Sequence, residues 1–129
     1  MVAPMAGAFR EAVEAGDLAA MAAALDPDVT FRSPVVFRPY EGRDAVMQLL
    51  SLVTQVFEDF RYVDELIGED SSCLVFRARV GDRELDGIDY LRVGPDGLVT
   101  ELTVMVRPYS AATALRDAMG AKLEALTSS

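Results

Sequence analysis

A chain of 129 residues is long enough for one domain with a real core, and its formal net charge of −9 suits neither nucleic acid nor an anionic membrane surface. It contains no histidine, which removes the commonest metal ligand, the usual general base at neutral pH and every Ser-His or Cys-His pair. Chemistry in this chain must rest on carboxylates, tyrosines, hydroxyls or arginine, and neither metal nor cofactor is expected. At 51% hydrophobic the chain is not a disordered one, and no apolar run approaches the roughly 18 residues of a membrane span. The opening MVAPMAGAFR has no basic segment ahead of an apolar one, so no signal peptide is read. The single cysteine, Cys73, has no internal partner, and a reducing cytoplasm is the expected compartment.

In chain order, a first helix is predicted from about Pro4 to Ala15, with Met5, Phe9, Ala12 and Val13 on its apolar stripe. Gly16-Asp17 ends it, and Asp17 can cap a second helix carrying Leu18, Met21, Ala22 and Leu25, which Pro27 stops. Val29 to Ser33 reads as a short strand. Pro34 to Tyr40, with two prolines and two large aromatics, reads as an irregular loop covering something apolar. A third helix spans about Asp44 to Val56, with Val46, Leu49, Leu50 and Val53 on one face.

Four strands then follow as a meander. Phe60 to Ile67 is the first, and Leu74, Phe76, Ala78 and Val80 form one face of the second. Gly81-Asp82 turns into Leu85 to Val93, and Gly94-Pro95-Asp96-Gly97 turns into Leu98 to Arg107. A last helix begins near Ser110 with Leu115, Met119 and Leu126 on its buried side, and Gly120 is expected to bend or end it. Helices first and an antiparallel sheet later place the fold in the α+β class.

The chemical oddity lies in the third strand of the meander. Alternation puts Leu85, Gly87, Asp89, Leu91 and Val93 on one face, so a carboxylate sits within a greasy row. Burying it raises its pKa or requires a dedicated hydrogen bond, for which Tyr40 and Tyr62 are candidate partners. On the other face Asp86 accompanies Ile88, Tyr90 and Arg92. In the last strand Leu98, Thr100, Leu102, Val104 and Val106 share one face, and Val99, Glu101, Thr103, Met105 and Arg107 the other.

Four segments carry a resemblance: AGDLAAM around Gly16, DPDVTFRSP at Asp26 to Pro34, YEGRDAV at Tyr40 to Val46, and DGIDYLRVGPDGLVTELTVMVRP at Asp86 to Pro108. In this order and spacing they resemble the SnoaL-like, ketosteroid-isomerase-like branch of the nuclear transport factor 2-like superfamily, over essentially the whole chain. The resemblance implies a single domain over residues 1–129. It also implies a cone: a strongly curved, mixed or antiparallel sheet whose N-terminal helices close a hydrophobic cavity. Leu85-Asp86-Gly87-Ile88-Asp89-Tyr90 is similar to the isomerase strand that holds a protonated Asp donating into the oxyanion hole, and Asp89 takes that place. The isomerase's general base matches Ser33, its oxyanion Tyr matches Phe9, and the further acid of the epoxide hydrolases and cyclases matches Val104.

The expected site is therefore Asp89 as acid or oxyanion donor in a pocket lined by Phe9, Phe31, Ser33, Tyr40, Leu49, Phe57, Phe76, Leu91, Leu102, Val104 and Val106. Plain core filling is the competing reading for each aromatic, and a local backbone bond the competing reading for Ser33. The expected partner is a small hydrophobic molecule, handled by a cofactor-free isomerase, cyclase or dehydratase. The alternatives are a non-catalytic ligand binder and a protein-interaction module. A convex face carrying Ile88, Tyr90, Val99, Thr103 and Met105 is expected to pair with a second copy.

Overall fold

The computed structural model describes residues 3–127, with side chains for 7–126. Met5, placed on the first helical stripe, has its side chain outside the described residues. The order is α1 (Ala3–Ala15), α2 (Leu18–Ala24), β1 (Leu25–Arg32), β2 (Tyr40–Glu41), α3 (Arg43–Val56), β3 (Glu58–Ile67), β4 (Ser71–Val80), β5 (Arg83–Val93), β6 (Val99–Arg107) and α4 (Tyr109–Thr127). The strands form one open sheet in the order β2-β1-β6-β5-β4-β3. β1 runs parallel to β6, and every other neighbouring pair is antiparallel. The meander β3 to β6 thus supplies most of a curved α+β sheet.

Local chemistry sets the boundaries. The Asp17 carboxylate caps α2 by accepting from Ala20 N at 3.0 Å. The predicted second helix reached to Pro27, but α2 ends at Ala24. Asp26 precedes a proline and is biased out of the helical region, and its own carboxylate accepts from Asp28 N at 2.8 Å. Leu25 therefore opens β1, and the Arg43 guanidinium holds its carbonyl at 2.6 and 3.1 Å. Gly42, at φ +95°, makes the turn into α3 that an L side chain would resist. Gly120 does not end α4, which continues to Thr127. Leu126, expected on its buried side, is half exposed.

Along β5 the alternation is complete: Leu85, Gly87, Asp89, Leu91 and Val93 are all buried. The last strand departs from a simple alternation. Arg92 pairs with Glu101 and Val93 with Val99, so Thr100 is an extra residue on β6. Its hydroxyl donates to Arg92 O at 3.3 Å. This bulge inverts the phase ahead of it. Val99, expected on the convex face, is fully buried, while Leu102, Val104 and Val106 keep the inward face.

Gly87 faces Phe76 across β4 and β5, and a Cβ there would run into the Phe76 ring. Glycine is the residue that lets the tip of this ring come down on the β5 backbone. Phe57, Phe60 and Phe76 then pack together, with centroids 4.8 to 5.8 Å apart. No helix among the described residues is long and apolar enough to cross a membrane.

Candidate functional site

The concave face of the sheet does not pack solidly against the helices. Between them lies a cavity of about 790 Å³, within the range of roughly 300–1,000 Å³ usual for ligand pockets. Phe31, Ser33, Tyr40, Phe60, Tyr62, Asp89, Leu102 and Val104 form the sheet side. Phe9 and Val13 of α1, Leu49, Leu50 and Val53 of α3, and Leu115 and Met119 of α4 form the opposite side. Pro34, Val35 and Val36 complete the rim, and Phe37, next in the chain, is 98% exposed. Glu14, Arg61 and Arg116 are the charged side chains at the edge of the lining.

Asp89 is the buried carboxyl of this cavity, 8% exposed. The Tyr62 hydroxyl donates to its Oδ2 at 2.7 Å. Oδ1 has no hydrogen-bond partner among the described residues and is not sealed off, so it opens toward the cavity. Burial pushes the Asp89 pKa up to about 6, and the Tyr62 bond opposes part of that rise. The Tyr62 phenol is held well above its ordinary value, by burial first and by the Asp89 charge second, so it keeps its proton. Arg10 of α1 lies over the Tyr62 ring at 5.5 Å and pairs with Glu65 at 2.6 Å and Glu14 at 3.5 Å.

The other polar groups inside are hydroxyls. Ser33 Oγ accepts from Val35 N at 3.0 Å and Val36 N at 3.3 Å, which folds the start of the rim loop. Tyr40 is half-buried and tilted against Phe31 at 6.2 Å, and its hydroxyl makes no hydrogen bond among the described residues. Among the described residues no three His, Cys, Asp or Glu side chains gather as a metal site would need.

Of the residues expected to line the pocket, Phe9, Phe31, Ser33, Tyr40, Leu49, Phe57, Leu102 and Val104 lie on the cavity wall. Phe76, Leu91 and Val106 lie behind it. Phe76 is fully buried behind Phe57 and Phe60, Leu91 packs in the sheet beside Leu102, and Val106 faces Gly87. Alternation gives the face of a residue but not its depth, so it could not separate these two layers. Arg10 and Glu65, which brace Tyr62, carried no signal of their own in the sequence. Asp86, expected on the exposed face, pairs there with Arg107 at 2.8 Å and Arg77 at 3.3 Å.

The SnoaL-like domain model matches residues 6–102, most of the chain and all of the cavity lining except Val104 and the residues of α4. The chain belongs to the SnoaL-like family. No functionally curated protein matches it. Among solved structures, this SnoaL-like chain is similar to a steroid delta-isomerase from Pseudomonas aeruginosa, at 38% identity and a TM-score of 0.94, covering 99% of this chain and 95% of that one. It is also similar to an uncharacterized bacterial protein with a cystatin-like fold from Silicibacter pomeroyi, at 35% identity and a TM-score of 0.89, covering 94% and 86%. An NTF2-like protein of unknown function from Mesorhizobium loti shares the fold alone, at 20% identity and a TM-score of 0.73, covering 83% and 91%. The SnoaL-like chain thus has the open, cone-like α+β architecture of its relatives, with the α1, α3 and α4 helices lying over the concave sheet.

Proposed function

We propose that this SnoaL-like protein binds a small, apolar, ketone-bearing metabolite in its conical cavity and moves a proton on it without a cofactor. Isomerisation, cyclisation and dehydration all reduce to that step. Asp89 is the group that carries it, as acid or oxyanion donor when protonated. The supporting observation is the Tyr62–Asp89 pair: one buried carboxyl, held by one hydroxyl, with a free oxygen facing an otherwise greasy cavity. Perturbed acids of this kind concentrate at working sites. The likeness at 38% identity to a protein named as a steroid delta-isomerase favours a double-bond shift beside a ketone.

The test is a β,γ-unsaturated ketosteroid, followed through the ultraviolet absorbance of its conjugated product. Turnover by the wild type, with loss of turnover in Asp89→Asn, is the expected result. Binding without any proton exchange would leave a ligand carrier. That second reading draws on Phe9, Ser33 and Val104, which hold no acid or phenol on the cavity wall. We also propose that the convex face pairs with a second copy through Ile88, Tyr90, Thr103 and Met105, the last 56% exposed. A monomeric sedimentation coefficient at micromolar concentration would contradict that pairing.

A further inference from the structure

Asp89 and Tyr62 account for one end of the cavity, and two hydroxyls elsewhere on its wall have no part in that pair. Tyr40 stands on the wall with a hydroxyl that bonds no described residue and is not sealed off. Ser33, on the same wall, accepts from Val35 N and Val36 N. Those two bonds fill its lone pairs and leave its proton without an acceptor among the described residues. A hydroxyl that already accepts two N–H bonds is polarised into a better donor.

Register sets the two hydroxyls close together. Tyr40 of β2 stands opposite Phe31 of β1, and Ser33 lies two residues beyond Phe31. Diagonal positions of this kind are roughly 7–8 Å apart, a span that one acceptor oxygen can bridge. From Asp89 they are well removed. β2 lies three strands from β5, roughly 14 Å of backbone spacing at 4.7–4.9 Å per strand. The wall between is apolar: Phe31 on β1, then Leu102 and Val104 on β6, with Val104 opposite Asp89.

We infer that the ligand of this cavity carries two oxygens, one at each end of a rigid apolar body: a ketone at Asp89 and a second hydrogen-bond acceptor held by Tyr40 and Ser33. This rests on the ketone-binding reading above and narrows it to ligands oxygenated at both ends. A body long enough to reach from Asp89 to β2 takes water away from both hydroxyls. With a hydrocarbon far end, the two donors would lose their solvent and gain nothing in return, at a cost in affinity. An acceptor at that end restores both bonds. Tyr40 and Ser33 therefore choose between ligands without touching the atoms that react. A site that pairs a ligand's polar group rejects the analogue lacking it more sharply than it judges a change of hydrocarbon shape.

The test is calorimetric binding of two saturated ketosteroids that differ only in a second ketone at the far end of the ring system. Saturated rings keep turnover out of the measurement. Wild type should bind the diketone about tenfold more tightly than the monoketone. Tyr40→Phe keeps the ring that packs on Phe31 and loses only the hydroxyl, so that ratio should fall to about threefold, and adding Ser33→Ala should bring it near one. Equal affinity of the wild type for the two steroids, or an unchanged ratio in Tyr40→Phe, would overturn the second acceptor and leave ketone binding at Asp89 intact. Tyr40→Phe losing the monoketone as strongly as the diketone would overturn it too, because the sole ketone would then sit at Tyr40. Wild-type protein that binds neither steroid would overturn both readings. The wild-type comparison needs no variant, so it decides the matter even if the double variant fails to fold.

Discussion

Tyr62 and Asp89 lie on strands that are not neighbours, yet they share a 2.7 Å hydrogen bond across β4. In register, Tyr62 stands opposite Phe76, and Phe76 opposite Gly87, two residues from Asp89. The phenol therefore reaches diagonally over the strand between, which the curl of the sheet allows. Tyr62→Phe removes the one donor that favours the carboxylate. The Asp89 pKa should rise above about 6, and stability at neutral pH should fall by about 1–3 kcal/mol. A carboxyl-carbon NMR titration and urea unfolding check the two effects.

Asp89 itself weakens the fold when ionised. Its carboxyl takes up a proton at about 6 when folded, against an ordinary 3.8, so the folded state binds more protons between those values. Stability therefore declines as pH rises from about 4 to about 6, by on the order of 3 kcal/mol, and stays low above. Asp89→Asn should be more stable than the wild type at pH 7 and indistinguishable below pH 3.8. Urea midpoints across that range would show a pH-independent difference if the argument is wrong.

Gly87 is needed for space. Gly87→Ala sets a methyl against the Phe76 ring, which Phe57 and Phe60 hold from behind. A loss of about 1–3 kcal/mol is expected, and Gly87→Ala with Phe76→Leu should recover part of it. Thermal unfolding of the single and double variants measures both.

Ser33→Ala leaves Val35 N and Val36 N without their acceptor. The rim loop should exchange its amide protons faster, with a global cost of about 1 kcal/mol. Hydrogen exchange resolved to residues 33–37 separates this local effect from general destabilisation. Unchanged protection there would show that Ser33 does not shape the rim.

Much of this was legible in the sequence because period-2 alternation is strict on β5. One out-of-place carboxylate marked the buried acid of the cavity, and Tyr62, one of its two candidate partners, is the one that bonds it. What could not be read were events that break periodicity. The Thr100 bulge moved Val99 from the convex face to the core, and the Asp26-Pro27 turn cut α2 short. Depth was also hidden: Phe57 and Phe76 look alike in a string, but only Phe57 touches the cavity. The Arg10–Glu65 brace joins positions 55 residues apart and left no local trace.

The same bulge fixes where the last strand tolerates a change of length. Thr100 is the surplus residue between Val99, which pairs with Val93, and Glu101, which pairs with Arg92. Removing it would give a regular ladder with both faces preserved, but with less bend in the wall that carries Leu102 and Val104. Removing Thr103 instead would turn the residues beyond it inside out. A family that needs roomier or tighter cavities can therefore lose or gain one residue at this point, resizing the chamber without repacking it.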